Sequence, residues 1–194
     1  MTSILVVCTG NICRSPIAEG LLRDALVARF GAHAPHVSSA GTFGLEGSGA
    51  QPESVRAAAE RGSDIGGHVA RELTGAMVEH ATLVVTMAGE HRDAIAGFSL
   101  DTAHKTFTLK ELTRLLESLP PVALGATPDA LAARVAQAEG KREQGFTGNP
   151  HDLDVADPLG MPIDSYRAIA WELDEWISRL VDGLYGVLVN AVER

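Results

Sequence analysis

Ser3-Ile4-Leu5-Val6-Val7-Cys8-Thr9-Gly10-Asn11-Ile12-Cys13-Arg14-Ser15-Pro16 sets a short apolar run against a loop that holds a thiol, a glycine and an arginine. The run is too short to cross a membrane and reads as a strand buried on both faces, as in a parallel sheet. Ser15 is placed to cap a following helix and Pro16 suits its first position, where a missing N–H costs nothing. Ile17, Leu21, Leu22, Ala25 and Leu26 then recur at helical spacing until Gly31. A strand that enters a helix through such a loop aims free amides and the positive end of the helix dipole at one point. That point favours a dianion, and Arg14 adds a fork for two phosphoryl oxygens. The same field favours the thiolate of Cys8, the nucleophilic form. The bland alternative is a small buried cysteine closing a strand. Its neighbours weigh against it: Gly10 allows close backbone approach, Arg14 is costly to bury without an anion, and Ser15 can donate to the sulfur. The other common phosphate loop, G-x-x-x-x-G-K-[ST], has no match in this region.

Cys8 to Pro16 fit CxGNxCRSP, a form of C-x5-R-[ST] near the N-terminus. In this the chain resembles the low-molecular-weight protein-tyrosine phosphatases. The resemblance implies that Cys8 attacks phosphorus and that Arg14 holds the equatorial oxygens. Thr9, Gly10, Asn11, Ile12, Cys13 and Ser15 then form the substrate-binding loop. An aspartate protonates the leaving group, and water hydrolyses the phosphocysteine. Neither metal nor cofactor is implied, and the seven histidines are scattered rather than grouped at ligand spacing.

In the family the acid is an Asp-Pro late in the chain, and Asp157-Pro158 is the one Asp-Pro here. Expelling an unprotonated phenolate or amine is slow, so such an acid is needed. Asp-Pro is also a common turn, and Asp152 and Asp154 are equally acidic, so the residues alone leave all three open. Ser39, Asn11 and His68 resemble the polar network that braces the phosphate loop in the family. For His68 the plain alternative is a loop histidine with no role.

With 194 residues, 45% hydrophobic and 21% charged, the chain suits one domain over 1–194 with one good core. It has no transmembrane run. The N-terminus enters a strand within a few residues and lacks a secretory signal, which places the protein in the cytoplasm. Two cysteines, both in the loop, suit that reducing compartment. A net charge of −9 argues against nucleic acid as a partner. The partner implied is a phosphorylated protein, and the oligomeric state stays open.

Further along, the pattern predicts strands near Val37 to Ala40, over Ala81 to Met87 and over Lys105 to Thr108. Helices are expected from Pro52 to about Arg61, from Leu73 to Glu79, around Glu90 to Ala96 and over Leu109 to Leu119. This alternation means an α/β fold: one open parallel sheet of about four strands with helices on both faces, and the phosphate-binding loop after the first strand. Tyr166, Ile169, Ala170, Leu173, Trp176, Ile177, Leu180, Val181 and Leu184 form one apolar helical stripe for core packing. Residues 120 to 150 are longer than the family's connection and read as an insertion with a helix over Pro128 to Arg142 and a turn-rich return over Gly145 to Pro150. Being next to Asp157, the insertion is expected to wall or cover the cleft.

Substrate identity divides the signals. The tyrosine phosphatases of the family carry aromatic residues after the Asp-Pro, whereas this chain has Leu159-Gly160-Met161. Phe107-Thr108-Leu109-Lys110-Glu111, the Asp157-Pro158-Leu159-Gly160 run, Ile163-Asp164 and Tyr166 resemble the protein-arginine phosphatase branch. In that branch the position of Ile12 is typically threonine, and isoleucine has no polar group to read a guanidinium. Ile12 therefore favours phosphotyrosine over phosphoarginine. A thiol-dependent arsenate reductase also uses this scaffold; no cysteine follows Cys13 to serve a relay, which leaves open only a version that borrows an external low-molecular-weight thiol or a glutaredoxin-like partner. Cys13 itself is either loop filling or, as the resemblance suggests, the partner of Cys8 in a reversible disulfide.

Overall fold

The computed structural model describes residues 2–98, 100–122, 126–145 and 152–187. Four parallel strands, β1 (Ser3–Cys8), β2 (His36–Gly41), β3 (Leu83–Thr86) and β4 (Thr106–Thr108), form one sheet in the order β2-β1-β3-β4. Between and after them run α1 (Arg14–Phe30), α2 (Pro52–Glu60), α3 (Gly75–His80), α4 (Gly89–Ala96), α5 (Leu109–Glu117), α6 (Ala130–Glu143) and α7 (Ile163–Tyr185). The strands, helices and βα alternation agree with the sequence pattern to within a few residues at each boundary.

β1 is apolar throughout because both faces of the sheet are covered. Ile4, Val6 and Cys8 join the larger core, which takes in the stripes of α1, α5 and α7. Leu5 and Val7 pack on the other face with Ala40, Val84, Leu73, Val78 and Ile95. Each fully buried Ile, Leu or Val side chain contributes on the order of 1.5–3 kcal/mol relative to exposure. The α7 stripe is buried as expected, except that Trp176 is only half-buried and carries the guanidinium of Arg179 4.1 Å from its ring centre.

Two local details depart from the sequence pattern. Ser15 does not cap α1: the helix starts at Arg14, Cys13 stands at the cap with no side-chain bond, and the Ser15 hydroxyl is held inside the loop. The 120–150 stretch, as far as it is described, is not a lid. α6 buries Leu131, Val135 and Ala138 in the main core, and Arg134 donates to the carbonyls of Gly183 and Pro120. Arg142 donates to the Thr106 and Ala103 carbonyls and lies 4.1 Å above the Phe107 ring. These apolar and charged contacts hold the helix against α5, α7 and the β4 edge. The return segment at 146–150 lies outside the described residues.

Candidate active site

Cys8 ends β1 at the C-terminal edge of the sheet, where ligands of open α/β sheets bind. Beyond it the chain turns through Asn11, whose φ of +55° is left-handed. Asparagine tolerates that conformation, and here its side chain is used three ways. Nδ2 donates to Ser15 Oγ at 2.9 Å and Ser39 Oγ at 2.7 Å, and Oδ1 accepts from the Arg71 amide at 2.9 Å. His68 Nε2 donates to the Asn11 carbonyl at 2.8 Å, and Ser39 in turn donates to Glu19 Oε2. The expected bracing set of Asn11, Ser39 and His68 is therefore together, with Glu19 and Arg71 added. Gly41 completes the support, because a Cβ there would stand 2.3 Å from the Thr9 carbonyl oxygen. Only glycine lets β2 pass so close beneath the loop.

Ser15 Oγ lies 2.9 Å from Cys8 Sγ. Since Asn11 donates to that oxygen, the serine proton is free to be given to the sulfur. Arg14 is buried at 4% exposure. Its Nη1 donates to the Val155 carbonyl at 3.1 Å, and its Nη2 donates to Thr9 Oγ1 at 3.2 Å and Asp157 Oδ2 at 2.7 Å. Its Nε is buried with no protein partner. A buried guanidinium N–H left unpaired is costly, and an anion in the loop would satisfy it.

Cys8, Thr9, Gly10, Ile12, Cys13, Arg14 and Asp157 line one cavity of about 220 Å³ with Phe43, Leu45 and Leu159. No described residue of the 120–150 stretch lines it. The three candidate aspartates are separated by their partners. Asp152 bonds Lys110 and Arg114, whose hydrogen bonds hold its carboxyl below the usual range. Burial alone would pull Lys110 down, but the bonds from Asp152 and Glu172 outweigh it and raise its pKa. Asp154 Oδ1 accepts from the Gly89 amide at the start of α4, at 2.8 Å. Asp157 alone of the three reaches the loop, and its side chain is 44% exposed.

Cys13 is buried, and that burial pushes its thiol up to about 11, against a smaller downward pull from its bond with Tyr166. Both cysteines are free. His91, which the sequence pattern passed over as one residue of a short helix, is 1% exposed with Nε2 2.9 Å from Thr9 Oγ1. Phe43 and Leu45 were also missed; they reach the cavity because β2 delivers the following loop alongside Gly10, whose carbonyl accepts from the Leu45 amide. Among the described residues no cluster of His, Cys, Asp and Glu could hold a metal, and no helix is long and apolar enough to cross a membrane.

Residues 3–118 match the family model described as low molecular weight phosphotyrosine protein phosphatase. A probable low molecular weight protein-tyrosine-phosphatase, EpsP of Ralstonia solanacearum, is 42% identical over 112 residues, which is 57% of this chain and 72% of the relative. A protein-arginine-phosphatase of Geobacillus stearothermophilus is 32% identical over 181 residues, 93% of this chain and 95% of the relative. The crystal structure of a low molecular weight protein tyrosine phosphatase from T. tengcongensis superposes with a TM-score of 0.70 at 31% identity, covering 95% of this chain and 100% of the other.

Proposed function

This chain belongs to the low molecular weight phosphotyrosine protein phosphatase family, a family of hydrolases, and from that membership we propose that it hydrolyses phosphotyrosine in proteins through a phosphocysteine on Cys8. The observation that carries the reading is the buried, unpartnered Nε of Arg14 in the cavity that also holds Cys8 and Asp157. Arg14 forks onto two phosphoryl oxygens with Nε and Nη2, and the loop amides take the rest of the charge. The Cys8 thiolate attacks phosphorus. As the P–O bond breaks, the phenolate oxygen takes the proton of Asp157. Asp157 then removes a proton from water as its oxygen attacks phosphorus, the P–S bond breaks, and the thiolate leaves with the Ser15 hydroxyl donating to it.

The resting ion pair makes Asp157 conditional. Without substrate, Arg14 Nη2 bonds its carboxylate. A dianion that claims Arg14 takes that partner from Asp157 and frees its half-exposed side chain to turn towards the leaving oxygen. Binding thus prepares the proton donor. Residues 120–150 are read as an insertion within a single phosphatase domain over 1–194, its helix extending the core beside β4.

The apolar wall supports an aryl group. Gly10 lies against Ile12, whose Cγ1 and Cδ1 would be 3.4 and 3.8 Å from a Cβ there, and Phe43, Leu45 and Leu159 continue the surface. One observation favours the second reading, phosphoarginine: the similarity to a protein-arginine-phosphatase runs over 93% of this chain. Rates on a phosphotyrosine peptide and a phosphoarginine peptide, with Cys8→Ala as control, decide between them. Faster turnover of phosphotyrosine, shifted towards phosphoarginine in Ile12→Thr, is expected; preference for phosphoarginine in the parent chain would reverse the assignment.

A further inference from the structure

His91 sits in the first turn of α4, a helix whose first free amide is held by Asp154 from the acid loop. Its imidazole is buried, Nε2 lies 2.9 Å from Thr9 Oγ1, and Nδ1 is buried with no partner. Thr9 Oγ1 is also the acceptor for Arg14 Nη2 at 3.2 Å. Thr9 Oγ1 thus stands between the His91 ring and the Arg14 guanidinium. With two lone pairs and one proton, the threonine oxygen accepts from the guanidinium and has capacity left for a bond of either direction with Nε2.

We propose that His91 is a positioning residue for Arg14, acting through the hydroxyl of Thr9 to hold the guanidinium with its Nε free for the phosphoryl group. Thr9 is thereby more than a backbone donor of the loop, and α4 ties the phosphate loop to the acid loop through His91 at one contact and Asp154 at the other. The charged groups facing His91 are Arg14 from α1, Glu90 from its own helix, and Asp154 and Asp157 from the acid loop. Burial first and Arg14 second lower its affinity for a proton, which keeps the ring neutral. A protonated ring would set a second buried cation beside Arg14. A loop that must present one guanidinium to one anion gains from such a fixed support.

The inference rests on the phosphatase reading, and the two fail separately: parent turnover of an aryl phosphate checks that reading, while the variants check the support. Inhibition by inorganic phosphate, kcat and KM on the aryl phosphate, and thermal unfolding are measured for His91→Ala, His91→Gln, Thr9→Val and the His91→Ala/Thr9→Val pair. His91→Ala and Thr9→Val each weaken phosphate inhibition about tenfold, the scale of one hydrogen bond to a charged group. The pair is no worse than either alone, and glutamine, whose amide can accept from or donate to Thr9, restores most of the affinity. Unchanged phosphate affinity in either folded single variant, additive losses in the pair, or a glutamine variant no better than alanine would overturn it. Should His91→Ala not fold, Thr9→Val and His91→Gln carry the comparison alone: parent-like affinity in Thr9→Val, or a loss in His91→Gln equal to that of Thr9→Val, sinks the proposal.

Discussion

Arg14 and Asp157 share a 2.7 Å ion pair in which the arginine is buried and the aspartate half-exposed. One partner is fixed and the other is free to move, which suits an acid that must change roles when an anion arrives. Asp157→Asn should lower kcat/KM, which reports only the steps through phosphorylation of Cys8, about 10²- to 10³-fold on phosphotyrosine peptide, the range of a lost general acid. The loss should be much smaller on a phenyl phosphate with a strongly electron-withdrawing ring, whose leaving group needs no proton. Equal losses on both substrates would show that Asp157 does not protonate the leaving oxygen.

Asp152 and Asp154 make the opposite prediction. Asp152 is occupied by Lys110 and Arg114, and Asp154 by the Gly89 amide, so they fasten the loop rather than act on substrate. Asp154→Ala should cost about 0.5–2 kcal/mol of stability, as the loss of a helix cap does. Its rate should keep the parent's dependence on leaving-group acidity, measured across a series of substituted phenyl phosphates. A steeper dependence in Asp154→Ala than in Asp157→Asn would exchange their roles.

Cys13 should be chemically quiet. Burial pushes its thiol up to about 11, so at pH 7 it is protonated and poorly nucleophilic. Iodoacetate at that pH should modify Cys8 alone, and inorganic phosphate should protect it. Peptide mapping that finds Cys13 modified first would contradict this.

Stability should fall on mild acidification because of His91. Its folded pKa lies below the ordinary value of 6.5, so near and below that value the unfolded chain binds more protons than the folded one. The contribution is complete above about pH 6.5 and is lost as pH falls from there towards the folded pKa, by at most about 1.4 kcal/mol per pH unit. Urea midpoints between pH 7.5 and 5.5 should therefore drop in the parent and drop less in His91→Gln. The same slope in both would remove His91 from the pH dependence.

Much of this was legible in the sequence because the decisive signals are local. Ile4 to Val7, the loop and the stripe of α1 follow one another without a gap, so strand, phosphate loop and helix could be read together. The choice among Asp152, Asp154 and Asp157 could not, since they sit within a few residues and differ only in partners 38 to 143 positions away. His91 was hidden for the same reason, 82 residues from Thr9. Ser15 shows the reverse failure. Its local pattern favours a helix cap, but Cys8 and Asn11 offer its hydroxyl better-satisfied buried bonds. The buried stripe of α6 was visible as a helix, but not its placement beside β4, because an amphipathic helix does not say which core it completes.

The most direct test of the account is to mix Asp157→Ala with p-nitrophenyl phosphate, quench in acid within milliseconds and map the modified residue by mass spectrometry. The leaving group needs no proton from Asp157, while hydrolysis of the intermediate needs its carboxylate as base, so a phosphoryl group should accumulate on Cys8 and be absent from Cys8→Ala. A phosphoryl group on any other residue, or steady turnover by Cys8→Ala with no modified enzyme, would contradict it.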